Sequence, residues 1–241
     1  MSEILDYINS SLNGEYDNRG VISETSVNRL TLFEHKKSGK RLVLIKSAYR
    51  NDDVFLRLKG YETEGRTPVV YEVCSEENFL YVLEEYVEGK LLSDYMNGKE
   101  ELEEKSIYKY LFDICSALEL IHNLGIVHRD IKPENVIIRN NKACLIDFSA
   151  AKLISYGQQD TVNLGTAGYA APEQFGVSGS TPAVDFYSFG VLANILLTGE
   201  HLTTLIPNGK IGKIIRKCTN IQISRRFQSA AELKNELRKI R

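Results

Sequence analysis

The sequence predicts an α+β chain of two lobes: a small antiparallel β lobe with one helix, then a larger, mainly helical lobe. Three observations predict it. Strand-like segments crowd into the first third of the chain. The long helical periodicities all fall in the remainder. A short hairpin pattern, "NVIIRNNKACLIDF", stands at the join, so a cleft between the lobes is expected. The whole chain, 1–241, reads as one domain, with the small lobe over about 1–86 and the large lobe over about 87–241.

In the small lobe, "KRLVLIKSA" (40–48), "PVVYEVC" (68–74) and "FLYVLEEYV" (79–87) are rich in β-branched and aromatic residues and read as strands. "HKKSGK" and "SEEN" read as turns. "NDDVFLRLKG" (51–60) predicts a short helix with Phe55, Leu58 and Lys59 on one side and Gly60 as its stop. In the large lobe, Ile107, Leu111, Ile114, Leu118 and Ile121 alternate at spacings of four and three, one buried helical stripe that Gly125 should cap. The hairpin should turn at Asn140 and Asn141. "STPAVDFYSFGVLANILLTG" is a helix with Thr181 as cap and Pro182 in its first turn, apolar nearly all round and therefore buried. "FQSAAELKNELRKI" opens on a Ser229/Glu232 capping box and carries Leu233, Leu237 and Ile240 on one face.

Bulk properties exclude several classes. Of the 241 residues, 43% are hydrophobic and 26% charged, the balance of a globular chain with a proper core. The net charge of −2 and the lack of a basic stripe argue against nucleic acid as a partner. Cysteines 74, 115, 144 and 218 have neither metal nor redox spacing and fit a reducing, cytoplasmic setting. The N-terminus lacks a signal-peptide pattern, and the longest apolar run is too short for a membrane anchor.

The chemistry concentrates in "GIVHRDIKPENVII" (125–138), where apolar runs flank a knot of charge. Asp130 precedes Asn135 by five residues, and Asp147 follows at the end of an apolar strand. A carboxylate and an amide oxygen at strand ends form a hard-ligand set suited to Mg²⁺, with substrate phosphates completing the shell. A further carboxylate, Asp130, can accept a hydroxyl proton. Lys132 can offset charge on a transferred phosphoryl group. Any one of these residues alone is more often part of a salt-bridged turn between two strands; the combination shifts the balance.

Together they resemble the signature of eukaryotic-type Ser/Thr protein kinases. "HRDIKPEN" is similar to the catalytic loop, "DFS" (147–149) stands where Asp-Phe-Gly is expected, "APE" (171–173) closes the activation segment, and "VLIK" (43–46) resembles the third-strand lysine motif. The resemblance runs from about residue 20 to the C-terminus and implies a bilobal protein-kinase-like fold. It implies ATP and Mg²⁺ as cofactors, with Mn²⁺ as a substitute, and a protein partner that offers a Ser or Thr hydroxyl. Asp130 would be the catalytic base, with Asn135 and Asp147 on the metal and Lys132 beside them. Lys46 would reach the ATP phosphates. Glu84 would be the gatekeeper, and Glu85 to Val87 would offer backbone groups to adenine. Thr166 would position the substrate hydroxyl beside Asp130. His128 and Phe148 would pack the loop. Asp185 would accept its backbone N–H groups, and Arg226 would pair with Glu173. Arg129 resembles that of kinases switched by activation-loop phosphorylation, with Thr161 as the phosphosite. Lys132 and "GTAGYAAPE" point to the Ser/Thr branch, and the wording of "LGTAGYAAPEQFG" and "RFQSAAEL" is similar to bacterial members.

Three departures accompany the resemblance. The glycine-rich slot falls on "SETSVN", Ser23 to Asn28, without a glycine. Ser149 replaces the glycine after Phe148. The carboxylate expected opposite Lys46 is best matched by Asp53, with Glu62 and Glu64 as substitutes. The alternative they leave open is a pseudokinase, a nucleotide- or partner-binding module with little transfer. A small-molecule kinase is a third reading, opposed by "APE" and Lys132.

Overall fold

The computed structural model describes residues 3–99, 102–155, 165–175 and 179–240. The chain divides into two units, Met1–Val87 and Glu88–Arg241, against an expected division at 86/87. Thr161 lies outside the described residues.

The first unit holds helix α1 (Glu3–Glu15), strands β1 (Tyr16–Glu24), β2 (Asn28–His35) and β3 (Arg41–Ser47), helix α2 (Asp52–Leu58), and strands β4 (Val70–Glu76) and β5 (Phe79–Glu85). The five strands form one antiparallel sheet in the order β1-β2-β3-β5-β4. The three expected strands are β3, β4 and β5. The sequence reading gave no element over 3–35, where α1, β1 and β2 lie. Helix α2 buries Val54, Phe55 and Leu58, and Gly60 follows at φ 69°, a left-handed stop that suits glycine. Lys59, expected on the packed side, is exposed.

Strand register assigns each side chain to a face of this sheet. Leu42, Leu44 and Lys46 stand opposite Glu85, Leu83 and Tyr81, and so share a face with them. Ile8 and Leu12 of α1 cover that face, in one cluster with Phe33, Leu42, Cys74, Leu83, Leu44 and Tyr81. Lys46 caps the edge of the cluster, its ammonium 4.0 Å from the Phe79 ring centre and 5.7 Å from that of Tyr81. Such a cation–π contact contributes about 0.5–1 kcal/mol at an exposed site. Helix α2 lies on the other face. Ser75 alternates with Cys74 of the α1 cluster, and its hydroxyl donates to the Asp52 carboxylate at the start of α2. The sheet therefore separates Lys46 from α2. The Lys46–Asp53 pair expected from the sequence is not formed, and Asp53 is exposed.

The second unit opens with β6 (Lys90–Leu91) and a helical turn α3 (Leu92–Asp94), then α4 (Glu104–Asn123), β7 (Ile126–Val127), β8 (Val136–Arg139), β9 (Lys142–Leu145) and β10 (Lys152–Leu153). Helices α5 (Pro182–Thr198), α6 (Gly209–Cys218) and α7 (Ala230–Arg238) follow. Strands β6, β8 and β9 form one small sheet, and β7 pairs with β10. All five members of the α4 stripe are buried. Gly125 follows at φ 72°, its N–H donating to His122 O. The β8–β9 hairpin turns on Asn140 (φ 49°) and Asn141 (φ 59°), two consecutive left-handed residues as in a type I′ turn. Thr181 does stand at the N-cap of α5, but its side chain makes no capping bond. Helix α6 was not expected. Its Ile211, Ile214, Ile215 and Cys218 are buried at spacings of three, one and three. Among the described residues no helix is long and apolar enough to cross a membrane.

Half of the expected capping box of α7 forms: Glu232 N–H donates to Ser229 Oγ at 3.1 Å, while the Glu232 carboxylate accepts from Gln228 N–H, one residue before the cap, at 3.0 Å. Replacing Ser229 by Ala leaves the Glu232 N–H without its partner. Denaturant unfolding should register a loss of about 1 kcal/mol.

Candidate active site

The loop His128–Asn135 is held from below by one carboxylate. Asp185 of α5 is fully buried, which is costly for an anion unless donors surround it. It accepts from His128 N–H at 2.9 Å and Arg129 N–H at 2.7 Å, and His122 Nε2 lies 2.8 Å from the same carboxylate. The backbone bonds match expectation; His122 is an addition. Arg129 has φ 72°, a conformation that a side-chain-bearing residue keeps only when its neighbours enforce it. They do so here on both sides, because the Arg129 carbonyl accepts from Gln174 Nε2 at 2.9 Å. Gln174 Oε1 in turn accepts from Ala171 N–H, so this residue ties the "APE" segment to the loop. Gly165 lies so close that a Cβ there would stand 3.2 Å from Gln174 Nε2 and 2.6 Å from Ala170 Cβ. The sequence reading missed Gln174.

The His128 ring packs edge-on against Phe148, centroids 4.9 Å apart. Its Nε2 lies 3.1 Å from Ile146 O, and its Nδ1 accepts from Asp130 N–H at 3.4 Å, which fixes the tautomer with the proton on Nε2. Ile146 N–H donates to Asn135 O at 2.9 Å. These contacts bring the segment that ends in Asp147 beside the catalytic loop.

At the centre, Asp130 Oδ1 accepts from Thr166 Oγ1 at 2.6 Å, and Oδ2 lies 2.7 Å from Lys132 Nζ and 2.9 Å from Asn135 Nδ2. Lys132 also donates to Thr166 Oγ1 at 2.8 Å. Burial pushes the Asp130 carboxyl up, but hydrogen bonds from Lys132 and Thr166 and the Lys132 charge outweigh it and hold the group below its usual range. Asp130 is therefore ionised at neutral pH. Asn135 Nδ2 also donates to Asp130 O at 2.8 Å. With its amide nitrogen committed twice, the side-chain oxygen is the atom Asn135 could offer to a cation. Asp147 has φ 63°, and its Oδ1 accepts from both Ser149 N–H at 3.1 Å and Ser149 Oγ at 2.5 Å. The serine in the glycine slot thus steadies one carboxylate oxygen, and Oδ2 is the atom Asp147 could offer to a cation. Two hard oxygen donors fit Mg²⁺ if phosphate and water supply the rest. Beneath the site Arg226, 1% exposed, grips Glu173 in a fork of 2.5 and 2.8 Å and donates to Ala183 O at 2.8 Å and Asn220 O at 2.7 Å.

The candidates of the first unit lie apart from this cluster in the chain. Ser23 is the last residue but one of β1 and Asn28 opens β2, so "SETSVN" is a hairpin tip. Thr25 Oγ1 accepts from the N–H groups of Val27 (3.3 Å) and Asn28 (3.0 Å), and Thr25 N–H donates to Asn28 O. Three of the tip's amides are thus already committed. Glu85 N–H donates to Val69 O and Tyr86 N–H to Arg41 O. Among the described residues the N–H of Val87 donates to no backbone carbonyl of the first unit, and of the expected adenine donors it is the one left.

Residues 68–240 match the family described as "Protein kinase domain". The chain is 31% identical over 181 residues to serine/threonine-protein kinase PknA of Nostoc, covering 71% of this chain and 32% of that protein. It is 27% identical over 228 residues to serine/threonine-protein kinase PrkC of Bacillus subtilis, covering 81% and 35%. It is 32% identical over 201 residues to cyclin-dependent kinase-like 2 of Oryctolagus cuniculus, covering 78% and 35%. The chain spans about a third of the length of these relatives. The matched span takes in the clamped loop, the Asp147 segment and the Arg226–Glu173 fork, and the chain belongs to the protein kinase domain family.

Proposed function

We propose that the chain transfers the γ-phosphoryl group of Mg-ATP to serine or threonine hydroxyls of a protein. The observation that carries the reading is the ionised Asp130, its two oxygens shared among Thr166, Lys132 and Asn135. The Thr166 hydroxyl, bonded to both Asp130 and Lys132, occupies the kind of place that an acceptor hydroxyl would take. An acceptor there would give its proton toward Asp130, and Lys132 would stabilise charge on the transferring group. Asn135 and Asp147 would hold the magnesium ion, which when bound neutralises charge on the phosphate oxygens. Val87 would offer its N–H to adenine. The four cysteines are free and buried, which suits a reducing compartment.

A second reading, nucleotide binding with little transfer, is favoured by one observation: the tip of the β1–β2 hairpin has tied up its own amides. Radiolabelled ATP with Mg²⁺ and casein as generic acceptor separates the two. Label should pass to protein serine or threonine, and Asp147→Ala should lose both transfer and Mg-nucleotide affinity. Wild-type binding without transfer would establish the second reading.

A further inference from the structure

We infer that β3 brings no phosphate-binding lysine to a bound nucleotide: Ile45 stands in that slot, and Lys46 belongs to the opposite, α1-covered face. The inference rests on the phosphotransfer reading for the nucleotide itself and on strand geometry for the rest. A phosphate lysine must share a face with the helix that steadies it and with the gatekeeper. Glu84, at the gatekeeper position, stands opposite Val43. It is therefore on the face away from Leu83, which is the α2 face. On β3 that face carries Arg41, Val43, Ile45 and Ser47, with Ile45 opposite Val82 and Arg41 four residues away at the start of the strand, its guanidinium 5.6 Å from the Tyr86 ring centre. The pairing of β3 runs from 41 to 47 with β2 and from 42 to 47 with β5, with no bulge to reverse the alternation.

Three observations fix Lys46 where it is. Its strand partner Tyr81 belongs to the α1 cluster, its ammonium rests on Phe79 and Tyr81, and the first turn of α2 is bonded to Ser75 on the other side. A one-residue slip that turned Lys46 toward α2 would also turn Leu42 and Leu44 away from Ile8 and Leu12. The hairpin tip adds nothing in its place, since Thr25 has closed it.

Calorimetric titration with Mg-ADP, together with radiolabel transfer, tests this on Lys46→Met and Ile45→Lys. Lys46→Met should bind and transfer within about threefold of wild type, far short of one power of ten per 1.4 kcal/mol of lost contact. A loss of about tenfold in affinity at unchanged melting temperature overturns the inference. Ile45→Lys, where it folds, should tighten Mg-ADP binding by about tenfold or more; unchanged affinity in the folded variant also overturns it. A wild type that binds nucleotide but transfers nothing defeats the phosphotransfer reading alone. In a wild type that does neither, Ile45→Lys decides: recovered binding supports the slot assignment and absent binding refutes it.

Discussion

Asp130→Asn is expected to lower phosphoryl transfer by about 100- to 10,000-fold, the usual contribution of a positioned acid or base, while Mg-ADP affinity stays close to wild type. The asparagine keeps the shape: its one side-chain oxygen can accept from Lys132 and Asn135 while its amide N–H donates to Thr166 Oγ1, but it cannot take a proton. Single-turnover transfer beside calorimetry checks it, and undiminished transfer would remove Asp130 from the chemistry. The pH dependence has a definite sign. The folded carboxyl is held below its ordinary value, so the stability it adds is fully present above the unfolded value of about 3.9. That stability is lost as pH falls through the lower folded value. Between neutral pH and the ordinary carboxylate range, protonation of Asp130 should cause no loss of turnover. A steep acid limb at pH 6 that survives in every variant except Asp130→Asn would contradict the assignment.

Arg226→Ala should destabilise the second unit by about 3–5 kcal/mol, because it leaves the Glu173 carboxylate facing a buried gap. For a chain of this length that is a fall of roughly 6–20 °C in melting temperature. The pair is not uniquely stabilising. Arg226→Met combined with Glu173→Leu should recover much of the loss, since apolar replacements of similar volume remove the stranded charge. Equal melting temperatures for Arg226→Ala and the double variant would mean that the cost lies in the lost bonds to Ala183 and Asn220 instead.

Much of the second unit was legible because its signals are local and redundant. The α4 stripe, the Asn140-Asn141 turn and the Ser229/Glu232 box each combine a period or a spacing with a residue type that serves it. Asp185 was legible for the opposite reason, as a charge in a helix with no polar face to hold it. The face of Lys46 was not. "RLVLIKS" is apolar at both parities, so alternation carries no sign of which side meets α2, and only the register with β5 decides it. β1 was missed because it is exposed along most of its length and reads as polar. Gln174 carried no pattern; its role depends on folding back onto a carbonyl forty-five residues away. Helix α6 had a readable signal in Ile211, Ile214, Ile215 and Cys218 that the sequence reading passed over.

The bond from Asp185 to the loop also governs how the loop can open. The amide protons of His128 and Arg129 are fastened to a buried side chain in the first turn of the almost wholly apolar helix α5, not to a neighbouring strand. They can reach solvent only when Asp185 withdraws, and Asp185 cannot withdraw without disturbing α5. Hydrogen exchange at these two amides should therefore follow α5 and not the surface turns around them. The catalytic loop, though irregular in outline, then behaves as part of the slowest-opening cooperative unit.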